Sequence, residues 1–169
     1  LLHGELDDRD INNLYNHPKV KAMINLTKGE GFGRPLLEFS LVGKPIIVSG
    51  WSGHLDFLSP DFCLVVKGEL KQIHPSAVIP NMLIPESAWF TPDYSTAGLF
   101  MKDVFENYGN YLEKAKRQVY RSKTWFSWDK MVEKLDELLT MNLPEFPTQA
   151  VLKLPQIKKI SLPKPVEIK

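Results

Sequence analysis

Residues 27 to 38 read TKGEGFGRPLLE. Gly29, Gly31 and Gly33 alternate with other residues, Pro35 follows, and Glu30 and Glu38 stand with seven residues between them. Glycines let a backbone come close to a ligand and take positive φ where a turn needs it. A helix that opens just after such a turn presents free N–H groups and a partial positive charge, which suit a phosphate oxygen. Arg34 can add a full charge. Two carboxylates beside an anion site ask for a further explanation. A carboxylate accepts two hydrogen bonds from a vicinal diol, a charge-assisted and geometrically selective contact. A nucleotide sugar carries a diphosphate for the helix end, a ribose diol on one side of it and a hexose on the other. Glu30 and Glu38 could grip the two sugars.

Other chemistries use less of the segment. A dinucleotide fold wants G-x-G-x-x-G, whereas the spacing here is G-x-G-x-G, with Glu30 placed to repel a pyrophosphate. The ribose acid expected about 20 residues further on would be Asp56, which lies beyond the next strand and loop. A P-loop fails at Gly43-Lys44, because Pro45 follows and no Ser or Thr is there for magnesium. A glycosidase pair flanks its scissile bond at about 5 to 9 Å, but a hydrolase has no use for the anion site.

The elements that must hold this turn are readable around it. DRDINNLYNH (8 to 17) puts Ile11, Leu14 and Tyr15 at helical spacing, with Asp8 as an available cap. AMINL (22 to 26) predicts a short buried strand before the turn. PLLEFSLVG (35 to 43) predicts a helix after it, with Pro35 at its start and Gly43 at its end. IIVS (46 to 49) is a second strand, GWSGH a loop, LDFL a short helical piece, and FCLVV (62 to 66) a third strand. Strands apolar on both faces that alternate with short helices argue for a parallel sheet covered on both sides. Residues 67 to 92 hold Pro75, Pro80, Pro85 and Pro92 with no steady period, and are expected to be a long irregular excursion. After Asp93 the pattern is helical. Ser127 can cap a last helix whose apolar face is Trp128, Met131, Val132, Leu135, Leu138 and Leu139. Five of the 13 prolines fall in the last 26 residues, so 144–169 reads as an extended or disordered tail and 1–143 as the folded unit.

Composition bounds the function classes. The 169 residues are 43% hydrophobic and 24% charged, a soluble globular profile. A net charge of +1 gives no electrostatic case for nucleic acid or an anionic membrane. No apolar run approaches the roughly 20 residues of a membrane span, and LLHGELDD has no signal-peptide pattern. The lone Cys63 excludes an internal disulfide, sits in an apolar run as a structural thiol, and fits a reducing, cytoplasmic location. No His or Asp cluster has metal-ligand spacing. LLHGE reads as the end of a strand with nothing before it, so one part of a larger protein is expected.

The run T-K-G-E-G-F-G-R-P-L-L-E closely resembles the donor-binding motif of retaining, GT-B-fold glycosyltransferases: Ser, two residues, then E-G-F-G-x-P-x-x-E. LHGELDDRDINNLYNHPKVKAMINLT before it and GKPIIVSGWSGHLDFL after it resemble the family's flanking segments, and FSW (126 to 128) its final helices. The resemblance implies the C-terminal, Rossmann-like half of a GT-B fold. It implies that Glu38 binds the nucleotide ribose, and that Glu30 contacts the sugar and helps stabilise developing positive charge. It further implies that the backbone of Gly31, Phe32 and Gly33 faces the sugar, while that at Arg34, Pro35 and Leu36 approaches the diphosphate. Thr27 occupies the family's serine position. Ser52, Gly53 and Asp56 stand where the family has two glycines and a glutamate, and His54 lies between them. No cofactor or metal is implied, only a nucleotide-diphosphate sugar as co-substrate. A sugar, glycan or lipid acceptor would be bound by an N-terminal domain outside this chain. The alternative from another class is a non-catalytic nucleotide or nucleotide-sugar module acting with a partner chain.

Overall fold

The structure, a computed structural model, describes residues 4–144. His3, the strand end expected at LLH, and all but the first residue of the expected tail lie outside the described residues. Helix α1 (Asp8–Asn16) is capped by Asp7, whose side chain accepts from the Asp10 N–H at 2.7 Å. The expected cap, Asp8, is instead the first helical residue. The chain offers two adjacent aspartates, and the cap is the one whose backbone is still extended. At the other end of α1, the Lys44 ammonium donates to the carbonyls of Tyr15 (2.6 Å) and His17 (2.9 Å), a cation at a helix's negative end. That contact gives Lys44 a structural role.

Three strands form a parallel sheet in the order β1 (Met23–Asn25), β2 (Ile46–Ser49), β3 (Leu64–Val66). Met23 pairs with Ile46 and Ile47 with Leu64. All four residues of β2 are buried, as a central parallel strand covered on both faces must be. Its alternating side chains feed two cores. On one face Ile46 and Val48 pack with Leu36 and Phe39 of α2 (Arg34–Ser40), and with Phe57, Leu58 and Cys63. On the other, Ile47 packs with Val66 and with Ala97 and Val104 of α3 (Tyr94–Glu106). The chain is therefore α/β, with helices on both faces of a parallel sheet.

Helix α4 (Tyr108–Trp125) closes the first core through buried polar contacts. Gln118 donates to the Phe57 carbonyl at 2.8 Å and accepts from the Ser59 N–H at 3.0 Å, while the Ser40 and Ser122 hydroxyls meet at 2.8 Å. Burial pushes the Cys63 thiol up to about 12, so almost no thiolate exists at neutral pH. A thiol reagent added to the native protein should therefore modify Cys63 no faster than global unfolding exposes it. Rapid native-state labelling would contradict this.

One expectation is corrected. Residues 67–92 are not irregular throughout: β4 (Gly68–Gln72) and β5 (Ala88–Pro92) form an antiparallel hairpin, with Leu70 opposite Phe90, and the connection between them lacks a strand. Every residue of β4 is exposed, so no buried face imposes a two-residue period on its sequence. Pro75, Pro80 and Pro85 all lie in the connection, where they cost no ladder hydrogen bond, and Pro92 ends β5. Helix α5 (Trp128–Asn142) starts at the Ser127 cap as expected, and none of its residues is buried. Its stripe of Trp128, Met131, Val132, Leu135, Leu138 and Leu139 is exposed rather than packed on the core. Of the neighbouring aromatics, Phe126 does pack, edge-on against Phe57 at 5.9 Å, whereas Trp125 and Trp128 are exposed.

Candidate functional site

Because β1 and β2 are parallel, the segments leaving their carboxyl ends emerge at the same edge of the sheet. Those segments are the glycine turn after β1 and the GWSG loop after β2. Ser49, the last residue of β2, donates its hydroxyl to the Thr27 carbonyl at 2.8 Å. The Thr27 hydroxyl in turn donates to the Gly29 carbonyl at 2.8 Å, tightening the turn at its entry. The loops then meet at Glu30. The Ser52 hydroxyl accepts from the Glu30 N–H at 2.9 Å and donates to the Glu30 carbonyl at 2.5 Å, and the Gly53 N–H donates to the same carbonyl at 3.0 Å. Both sides of the Glu30 main chain are thus held by the second loop, while its half-buried side chain is left out of that clamp.

Gly33 ends the turn with φ 86°, in the left-handed region. A Cβ there would come within 3.1 Å of the His54 Cβ and 3.3 Å of the Glu30 Cγ, so the conformation favours glycine and the space beside it is tight. Helix α2 begins at the next residue, Arg34, with Pro35 in its first turn. Of the three backbone positions expected near a diphosphate, Pro35 has no N–H and Leu36 donates its own to the Gly33 carbonyl at 2.9 Å. That leaves the Arg34 N–H and the exposed Arg34 side chain. Phe32 lies tilted on the buried Phe57 ring at 5.2 Å, which ties the middle of the turn to the core.

Glu38 sits one helical turn beyond Arg34, and their side chains pair at 3.1 Å. Together they line a groove of about 420 Å³ between α1 and α2, with Asp8, Asn12 and Tyr15 on the opposite wall. Desolvation raises the Tyr15 hydroxyl above its ordinary value, the Glu38 carboxylate adds to this, and Arg34 opposes it. Glu38 therefore faces a lateral groove, while Glu30 belongs to the loop junction.

The second loop is less uniform than its sequence suggests. His54 is fully buried within a 3₁₀ turn (Gly53–Asp56), and its Nε2 lies 2.7 Å from the Ser49 carbonyl. Since a carbonyl can only accept, Nε2 carries the proton and His54 braces the end of β2. Asp56 is exposed, and its carbonyl accepts from Arg121 at 3.4 Å. Thus Ser52 and Gly53 join Glu30, whereas His54 and Asp56 face elsewhere.

The hairpin supplies contacts that the sequence reading did not anticipate. The Phe90 N–H donates to the Lys28 carbonyl at 3.1 Å, the Lys28 ammonium sits 3.4 Å from the Trp89 ring centroid, and Trp51 stacks on Phe90 with 6.3 Å between centroids. The only local signal was an aromatic pair, Trp89-Phe90, inside a proline-rich stretch. Among the described residues no group of three or more His, Cys, Asp or Glu side chains could hold a metal ion, and no helix is long and apolar enough to cross a membrane. No protein-family model matches the chain, and no curated protein matches it.

Proposed function

We propose that this chain is the donor-binding domain of a retaining glycosyltransferase, which moves a sugar from a nucleotide diphosphate to an acceptor hydroxyl supplied from outside the chain. The observation that carries this reading is the Glu30 junction. The Glu30 carboxylate stands on a glycine turn whose main chain is fixed by the neighbouring loop, just before a helix that carries a second carboxylate, Glu38.

In this reading the Glu38 carboxylate takes the ribose hydroxyls. Its pairing with Arg34 is an exposed ion pair worth about 0 to 1 kcal/mol, so a diol can replace it at small cost. The freed guanidinium and the Arg34 N–H then face the diphosphate. Glu30 takes hydroxyls of the donor sugar, and its negative charge stabilises the positive charge that develops at the anomeric carbon as the diphosphate leaves. The backbone of Gly31 to Gly33, without side chains at its two ends, leaves room for the sugar. Calorimetric titration with UDP-, GDP- and ADP-sugars tests the reading: one of the three series should bind, and the corresponding nucleoside should bind more weakly.

A further inference from the structure

We propose that Ser52 is a positioning residue, which fixes the main chain of Glu30 and so the direction in which the Glu30 carboxylate leaves the turn. The inference rests on the reading that Glu30 meets the donor sugar, and it assigns the device that aims it.

Ser52 has φ 94° and ψ −175°. That combination is essentially reserved for glycine, because a Cβ crowds the backbone there. Among the described residues one other non-glycine has positive φ, Asn81 at 64°, in the left-handed helical region that asparagine tolerates well. Ser52 has no such excuse. Its neighbours Gly50 and Gly53 show that glycine is used freely in this loop, yet the strained position carries a side chain.

The hydroxyl explains what the strain accomplishes. From this backbone Oγ accepts from the Glu30 N–H and donates to the Glu30 carbonyl, so one atom satisfies both polar groups of a single residue 22 positions away. The Gly53 N–H adds a second contact to that carbonyl, the third to the Glu30 main chain. The loop is rigid enough to transmit this. Its start is pinned by the Gly50 N–H on the Val66 carbonyl at 2.8 Å, and His54 braces Ser49 just before it. Local strain that is held by surrounding contacts, and that serves a neighbouring group, is the pattern expected where geometry matters more than stability.

The test uses Ser52→Gly and Ser52→Ala in the full chain. Ser52→Gly removes the strain along with the hydroxyl, so its melting temperature should equal or exceed that of the wild type. Ser52→Ala keeps the strain and loses the hydroxyl, so it should melt lower. Both should lose about tenfold in affinity for the nucleotide-diphosphate sugar, roughly the worth of one well-placed hydrogen bond. Affinity for the nucleoside diphosphate alone should change less than about twofold, because Glu38 and α2 are untouched. Hydrogen exchange at the Glu30 amide should accelerate in both variants. If the wild type binds the sugar nucleotide and both variants bind it equally well, Ser52 is not a positioning residue and the proposed function stands. An equal loss for nucleotide and sugar nucleotide would also overturn the assignment, since that marks general loop damage. If the wild type binds no sugar nucleotide, the functional reading fails and the role of Ser52 falls with it.

Discussion

Gly53→Ala is expected to cost about 2 to 4 kcal/mol and to pull the two loops of the site apart. The new methyl would overlap the Gly31 carbonyl oxygen and sit 2.9 Å from the Gly31 carbonyl carbon and 3.2 Å from the Glu30 carbonyl oxygen. These are backbone atoms, which cannot rotate away as a side chain can. Overpacking of this kind costs about 1 to 3 kcal/mol, and separating the loops also gives up hydrogen bonds worth about 1 kcal/mol each. For a chain of this length the melting temperature should fall by about 2 to 4 °C per kcal/mol. The Glu30 amide should also exchange faster, because it loses the Ser52 hydroxyl. The Gly31→Ala control discriminates: a Cβ at Gly31 meets nothing within 4 Å, so this change should leave the melting temperature nearly unaltered. If Gly53→Ala melts like the wild type, the loop junction described here is wrong.

Phe57→Ala should have the larger effect on stability, about 3 to 5 kcal/mol. Phe57 is fully buried in the core beneath β2 and contacts Phe32 above and Phe126 at the end of α4. Its removal leaves a cavity ringed by the turn, the sheet and a helix end, three parts that cannot all relax into it. The loss is a large share of the roughly 5 to 15 kcal/mol that a domain of this kind possesses. Urea denaturation should show a lower midpoint with an unchanged slope, since the surface exposed on unfolding is nearly the same. Phe32 would lose its support as well, so ligand affinity should drop even in the fraction that remains folded. A midpoint shift equivalent to less than about 1 kcal/mol would show that Phe57 is not the keystone of this core.

How much of this was legible in the sequence differs from element to element, for physical reasons. Strand 46–49 was readable to the residue, because IIVS is buried on both faces and leaves no competing pattern. The start of α2 was readable to within one residue, since Gly33 and Pro35 leave little choice between them. The hairpin was not readable, because β4 is exposed throughout and pairs with a strand 16 residues away across a proline-rich connection. The stripe on α5 was readable as a stripe, but periodicity cannot say what a face packs against. In the candidate site, the residue types at Glu30, Gly33 and Glu38 carried the proposed chemistry. What spacing could not supply was that Ser52 reaches Glu30, or that Arg34 occupies Glu38. Both depend on which loops the parallel sheet brings to one edge, and on side-chain geometry that no local pattern encodes.

The central claim is that Glu38 and Glu30 bracket a diphosphate and grip the sugars on either side of it. Calorimetric titration of wild type and Glu38→Ala, with the preferred nucleotide-diphosphate sugar and with its 2′-deoxyribose counterpart, tests it most directly. The wild type should bind the ribose form more tightly by about 1.5 to 3 kcal/mol, the worth of hydrogen bonds to a charged group. Glu38→Ala should lose that preference, bind both forms alike, and keep the wild-type melting temperature, because the ion pair it breaks is exposed. If Glu38→Ala binds the ribose form with wild-type affinity, or still discriminates against the deoxy form, Glu38 does not hold the ribose and the account is contradicted.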